Sequence, residues 1–150
     1  MLLVKYYWIH IMGRKRCKVN VRKKKFNRFI PCVVILSVDE QYNELLIEKK
    51  ENKQLNYIND YAKAHNLLII KIIRKGYSGK NGKKQSFHRA ISFMEQGKAE
   101  ALLITNMASI SFGIADAYHK IGIIKEKGFR IITVDEGELD MKLHPFSKIT

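Results

Sequence analysis

The chain has 150 residues, 46% of them hydrophobic and 28% charged, enough for one globular domain with a real core and too apolar for a chain disordered throughout. Its formal net charge of +14 is unevenly spread: residues 1–32 hold ten Lys or Arg and no acid, which leaves 18 bases against all 14 acids in the remainder, a surplus of four. The basic pI of about 9.8 therefore reflects an amino-terminal arm, GRKRCKVNVRKKKFNR, more than the body that follows it.

In chain order, MLLVKYYWIHIM comes first, apolar and aromatic but only about a dozen residues long, whereas a bilayer span needs roughly 20. An export signal carries its charges before the apolar run, and here they come after it. Met12 directly precedes the basic run, so a start of translation there would leave residues 1–11 outside the protein. Residues 1–32 as a whole are expected to form a flexible basic arm, because like charges repel and too little apolar surface is available to fold. Through Arg14, Lys15, Arg16, Arg22, Lys23, Lys24 and Lys25 such an arm would bind phosphate backbones by charge, without reading sequence. The plain alternative is a solvated tail with no dedicated partner.

Cys17 and Cys32 form no CxxC pair, and the five histidines are scattered singly. No metal site, disulfide framework or cofactor is expected, and a reduced, cytoplasmic protein is the default. No membrane partner is expected.

From Val33 onward, residues 33–150, the chain becomes regular. CVVILSV is a short continuous apolar run rich in β-branched residues, as for a strand covered on both faces. NELLIEKKENKQLNYINDYAKAHN spaces Leu45, Leu46, Leu55, Ile58, Tyr61 and Ala62 as the inner face of a helix, with Asn66 as its stop. LLIIKIIR, Leu67 to Arg74, reads as a second buried strand, and KGYSGKNGKK as a bending loop. QSFHRAISFMEQGK is a helix with Phe87, Ile91 and Met94 on one face and Gly97 at its end. EALLIT, Glu100 to Thr105, is a third strand. SFGIADAYHKIGIIKEKG is a third helix, with Ile114, Ala117, Tyr118, Ile121 and Ile124 inward and Gly128 as terminator. FRIITV, Phe129 to Val134, is a fourth strand. Strands alternating with helices of this length predict an α/β fold, a mainly parallel sheet of four to five strands with helices on both faces. Sites in such sheets form beyond the carboxyl ends of the strands. Ser37, Ser78 and the residues after Thr105 fall at such ends.

No GxGxxG or Walker sequence follows any strand, which disfavours an unrelated nucleotide-binding domain. Ser37 has two readings: a nucleophile presented by a strand end, or a structural serine that caps the helix beginning near Tyr42 or satisfies a loop amide.

The order S-x-D-E-Q at Ser37 to Gln41, Q-L-x-x-x-x-x-Y-A at Gln54 to Ala62, G-Y-S-G-K at Gly76 to Lys80, a basic helix start, and G-K-x-E-A-L-L-I-T resembles the catalytic domain of serine site-specific recombinases, the resolvase and invertase family. The likeness spans Val33 to Gly137. It implies the α/β sheet just described and a serine after the first strand that attacks a DNA phosphodiester, giving a 5′-phosphoserine link without metal or ATP. A hydroxyl is a weak nucleophile and a phosphodiester in transfer spreads negative charge over its oxygens, so such a site needs fixed cations. Arginine suits this through its planar, permanently charged fork.

Carried over residue by residue, the likeness is incomplete. The arginine two residues before the nucleophile falls on Ile35. The segment usually of the form K-L-D-R-L-S-R falls on NMASISF, so its aspartate becomes Ala108 and its two arginines become Ser109 and Phe112. The basic residue after the S-G loop falls on Lys84. What remains by resemblance is Ser37 as candidate nucleophile with Asp39, Gln41, Ser78 and Lys84, and Lys80 and Arg89 beside the arm as DNA contacts. Each lost positioned charge costs on the order of 10² or more in rate. The expectation is a recombinase-like domain of DNA recombination whose catalysis is impaired. Its alternative is a non-catalytic DNA-associated or protein-interaction module with the same fold, with a homo- or hetero-oligomer left open. Family members continue into a long dimerising helix and a DNA-binding domain, for which a sequence ending in EGELDMKLHPFSKIT has no room, so any grip on DNA is expected from the loops of the body or from the arm.

Overall fold

The computed structural model describes residues 28–39, 43–76 and 81–140. Five strands and three helices follow one another as β1 (Ile30–Leu36), α1 (Glu44–Ala64), β2 (Leu67–Arg74), α2 (Gly82–Glu95), β3 (Ala101–Ile104), a 3-10 turn (Met107–Ser109), α3 (Ile114–Glu126), β4 (Arg130–Thr133) and β5 (Gly137–Glu138). They form one sheet in the order β2-β1-β3-β4-β5. The first four strands run parallel and the short β5 is antiparallel to β4. This is the α/β architecture expected from the alternation of strands and helices.

β1 lies inside the sheet with β2 and β3 on either side, and Cys32 to Leu36 are fully or almost fully buried. Its alternate residues feed two cores. Val33 and Ile35 pack with Phe87, Ala90 and Met94 of α2 and Ile121 and Ile124 of α3. Val34 and Leu36 pack on the other face with Ile58 and Ala62 of α1. A strand buried on both faces has no solvent side for a polar residue, which is why this segment is continuously apolar. Asn43 caps α1, its side-chain oxygen accepting from the Leu46 N–H at 3.2 Å, so this cap falls to Asn43 and not to Ser37. Asn66, at φ 55°, makes the left-handed turn from α1 into β2 that asparagine tolerates better than most residues.

Several sequence expectations are corrected. β1 begins at Ile30, so the boundary drawn between residues 32 and 33 falls inside a strand, and Arg28 pairs with Glu100 just before it. β2 is an edge strand and not a buried one: Leu68, Ile70 and Ile72 are exposed, because nothing pairs beyond it among the described residues and a register shift at Cys32/Val33 interrupts its alternation. In α1 Leu45 faces solvent, while Ile47 and Glu51 are buried. In α3 Ile114 and Tyr118 are exposed, and Ile121 and Ile124 carry the packing. The helix begins at Ile114 and spans 13 residues, so Ile114 and Tyr118 belong to its first turns and the packing falls to its later ones.

Cys32 sits in the α1-side core, and burial, with Glu100 opposing Arg130 nearby, pushes its thiol up from 9.0 to about 11. Folding thus keeps Cys32 protonated, and its contribution to stability is full below pH 9.0 and declines as the pH rises towards 11. In a Cys17→Ser variant, which leaves Cys32 as the remaining thiol, a disulfide reagent at pH 8 is expected to react only after denaturant is added; full reaction within minutes in native buffer would contradict this burial.

Candidate active site

The carboxyl ends of β1 and β3 open into a cleft of about 350 Å³ walled by Ser37, Asp39, Lys50, Gln54, Asn106 and Ser109. Ser37 is the first residue after β1, and only 6% of its surface is exposed. Its hydroxyl accepts and donates no hydrogen bond among the described residues. Its backbone, by contrast, is held from both sides by one α1 side chain: the Ser37 N–H donates to Gln54 Oε1 at 3.1 Å and Gln54 Nε2 donates to the Ser37 carbonyl at 2.8 Å. The side-chain amide thus continues the strand's hydrogen-bonding pattern one residue past its end. Gln54 stood in the sequence as part of a spacing pattern, and this clamp gives it a physical role.

The polar residues around the cleft satisfy one another. Buried Glu51 accepts from the Gly76 N–H at 2.9 Å and lies 3.6 Å from Arg74, and Arg74 also donates to Asn52 at 2.9 Å. Lys75 donates to the Val38 carbonyl at 3.2 Å. Asn106 donates to Asp135 at 3.2 Å, and the Tyr57 hydroxyl reaches the same carboxylate at 3.4 Å. Asp39 pairs with Lys83 at 3.0 Å. Thr105, at the end of β3, has a second buried hydroxyl without a partner.

The site residues inferred from the sequence are partly brought together. Ser37 and Asp39 share the cleft. Lys84 is exposed and lines a separate cleft between α2 and α3 with His88, His119 and Lys120. The adjacent Lys83 is the one that turns inward, to Asp39. Neighbours on a helix point about 100° apart, so only one of two consecutive lysines can face the strand ends; the KK pair was visible in the sequence, the helix phase was not. Arg89 is exposed on α2. Gln41, Ser78, Lys80 and the arm residues Arg14, Lys15, Arg16, Arg22, Lys23, Lys24 and Lys25 lie outside the described residues.

The positions matched to the family's arginines are of three kinds. Ile35 is part of the α2/α3-side core. Ser109 is buried in the 3-10 turn. Phe112 is exposed. Of the arginines among the described residues, Arg28 and Arg130 pair with Glu100 and Glu138 at the amino-terminal ends of β1 and β4, the far edge of the sheet. Arg74 is turned to α1. None of them lines the Ser37 cleft.

Comparison with known proteins accounts for this architecture. The family described as Resolvase, N terminal domain, matches residues 38–149. The match starts one residue after Ser37, so it rests on the elements that follow and not on that serine. Among solved structures the chain is similar to a resolvase family site-specific recombinase from Streptococcus pneumoniae, at 18% identity over 72% of this chain and 74% of that one, TM-score 0.59. It is also similar to the N-terminal catalytic domain of TP901-1 integrase, at 15% identity over 71% and 78%, TM-score 0.56. A third is the C-terminal catalytic domain of ISC1926 TnpA, an IS607-like serine recombinase, at 20% identity over 70% and 69%, TM-score 0.57. At these identities the likeness is one of fold. No curated protein matches the chain. With the family covering most of the chain and its sheet and helices in place, the protein belongs to the resolvase N-terminal domain family of serine recombinases.

Proposed function

We propose that this domain associates with DNA as a recombinase-like module in which Ser37 cleaves strands poorly or not at all. Cleavage would require the Ser37 oxygen to attack phosphorus, form the 5′-phosphoserine bond and expel the 3′ oxygen, while its own proton leaves to a base. The observation that carries the proposal is the state of that hydroxyl: buried, without a hydrogen-bonding partner, in a cleft that no arginine among the described residues lines. A developing phosphorane charge there would meet few fixed donors, and each missing one costs about 2.7–4 kcal/mol of barrier. Groups that act as a unit do not add simply, yet even one such loss slows the reaction by two orders of magnitude.

The core supports the same reading. Ile35 packs in the α2/α3-side core, where a guanidinium left without a partner would cost several kcal/mol.

DNA association rests on the family and on charge. The arm carries most of the chain's positive excess, and such cations bind by releasing condensed counterions, with log K falling about 0.9 per neutralised phosphate for each decade of salt. The body itself offers Lys84, Arg89 and the α2/α3 cleft on an exposed surface.

Two measurements test this. Incubated with supercoiled DNA, the protein is expected to yield no covalent adduct that survives boiling in detergent; an adduct that disappears in Ser37→Ala would overturn the impaired reading. Deleting residues 1–27, which stops short of β1, is expected to weaken DNA retention roughly tenfold or more at low salt and to flatten its salt dependence. An unchanged slope would remove the arm from the interface.

A further inference from the structure

Phe112 sits in the short connection between the 3-10 turn and α3, and 67% of it is exposed. Two lysines from different helices place their ammonium groups over its ring: Lys83 of α2 at 5.0 Å from the centroid and Lys120 of α3 at 5.9 Å. Neither lysine is a mobile surface side chain, for each is more than nine-tenths buried. Each is also fixed by a carboxylate, Asp39 at 3.0 Å and Asp116 at 2.9 Å. Lys120 donates to the Ile110 carbonyl as well and lies over Phe87 at 5.5 Å. Asp116 in turn accepts from the Phe112 backbone N–H at 3.0 Å, so one group fixes both the loop and a cation. The fold holds this ring in place and leaves it at the surface.

The surroundings are concave, with Lys83, Lys84 and Lys120 against Asp39 and Asp116. On one side of Phe112 a cleft of about 640 Å³ includes Asp39, Lys83 and Ser111. On the other, a cleft of about 320 Å³ includes Lys84, His88, His119 and the Lys120–Asp116 pair, so that Lys84 adds a positive charge that no acid of the lining balances. An anchored, exposed aromatic ring beside a basic cleft is an arrangement that holds single-stranded nucleic acid: bases stack on the ring whatever their sequence, and the cations of the cleft draw the phosphates.

We propose that Phe112 is a stacking platform for an unpaired nucleobase, with the flanking phosphates held at Lys84 and its neighbours in the α2/α3 cleft. Within a duplex, base faces are covered by their neighbours and only base edges are open in the grooves, so the platform selects single-stranded or locally opened DNA. An acidic peptide would use the lysines but has no need of the ring. This inference rests on the DNA-associated reading above and names the form of DNA and the residue that receives it.

The test is binding of the full chain to a fluorescent 15-nucleotide oligothymidine and to a duplex of equal length, at one fixed salt concentration. Phe112→Ala and Phe112→Leu are expected to weaken single-strand binding roughly 5- to 100-fold, Phe112→Trp to retain it, and all three to change duplex affinity less than twofold. Circular dichroism melts confirm that the variants are folded, which the exposure of the ring favours. Undiminished single-strand binding by Phe112→Ala, or equal losses on single strand and duplex, would overturn the platform while leaving DNA association standing. Absence of binding by the unmodified chain to either DNA would remove the DNA-associated reading itself.

Discussion

The burial of β1 on both faces is the constraint from which the rest follows. With α1 on one side and α2 and α3 on the other, Cys32 to Leu36 have no access to water, and the first residue free of the sandwich is Ser37. Continuous apolar sequence is the only kind that such a strand accepts. In this chain the residue two positions before Ser37 is Ile35, and it packs in the layer between β1, α2 and α3.

At the carboxyl edge, charges are spent on one another. Glu51 meets Arg74 and the Gly76 N–H, Asp39 meets Lys83, Asp135 meets Asn106 and Tyr57, and Asp116 meets Lys120. The Lys120 hydrogen bond, more than any other influence, holds the Asp116 carboxyl below its ordinary value. Such pairs fix loops, since breaking one leaves a partly desolvated charge behind. Among the described residues the Ser37 hydroxyl stays outside these pairs. One step away, the paired lysines Lys83 and Lys120 lie over the exposed ring of Phe112.

Much of the fold was legible in the sequence because it depends on local pattern. The span of β2, the stop at Asn66 and the terminators Gly97 and Gly128, all three at positive φ, could be read from periodicity and backbone chemistry alone. Harder to read was which face of each element has a neighbour. Leu45, Ile114 and Tyr118 have helical spacing and still face solvent, and β2 has the composition of a buried strand at an open edge. Spacing reports that a face exists, while coverage depends on how far the neighbouring layer extends.

The candidate site divides along the same line. The sequence by itself determined the alternation of strands and helices, the placing of Ser37 at a strand end and the absence of arginine at positions 35, 109 and 112, since these are matters of order and identity along the chain. Only the tertiary structure decided that Gln54 clamps the Ser37 backbone, that Lys83 and not Lys84 turns to Asp39, and that Lys83 and Lys120 converge on Phe112. Those contacts join residues 8 to 44 positions apart, and their geometry is set by helix phase and packing, which no local pattern of residues encodes.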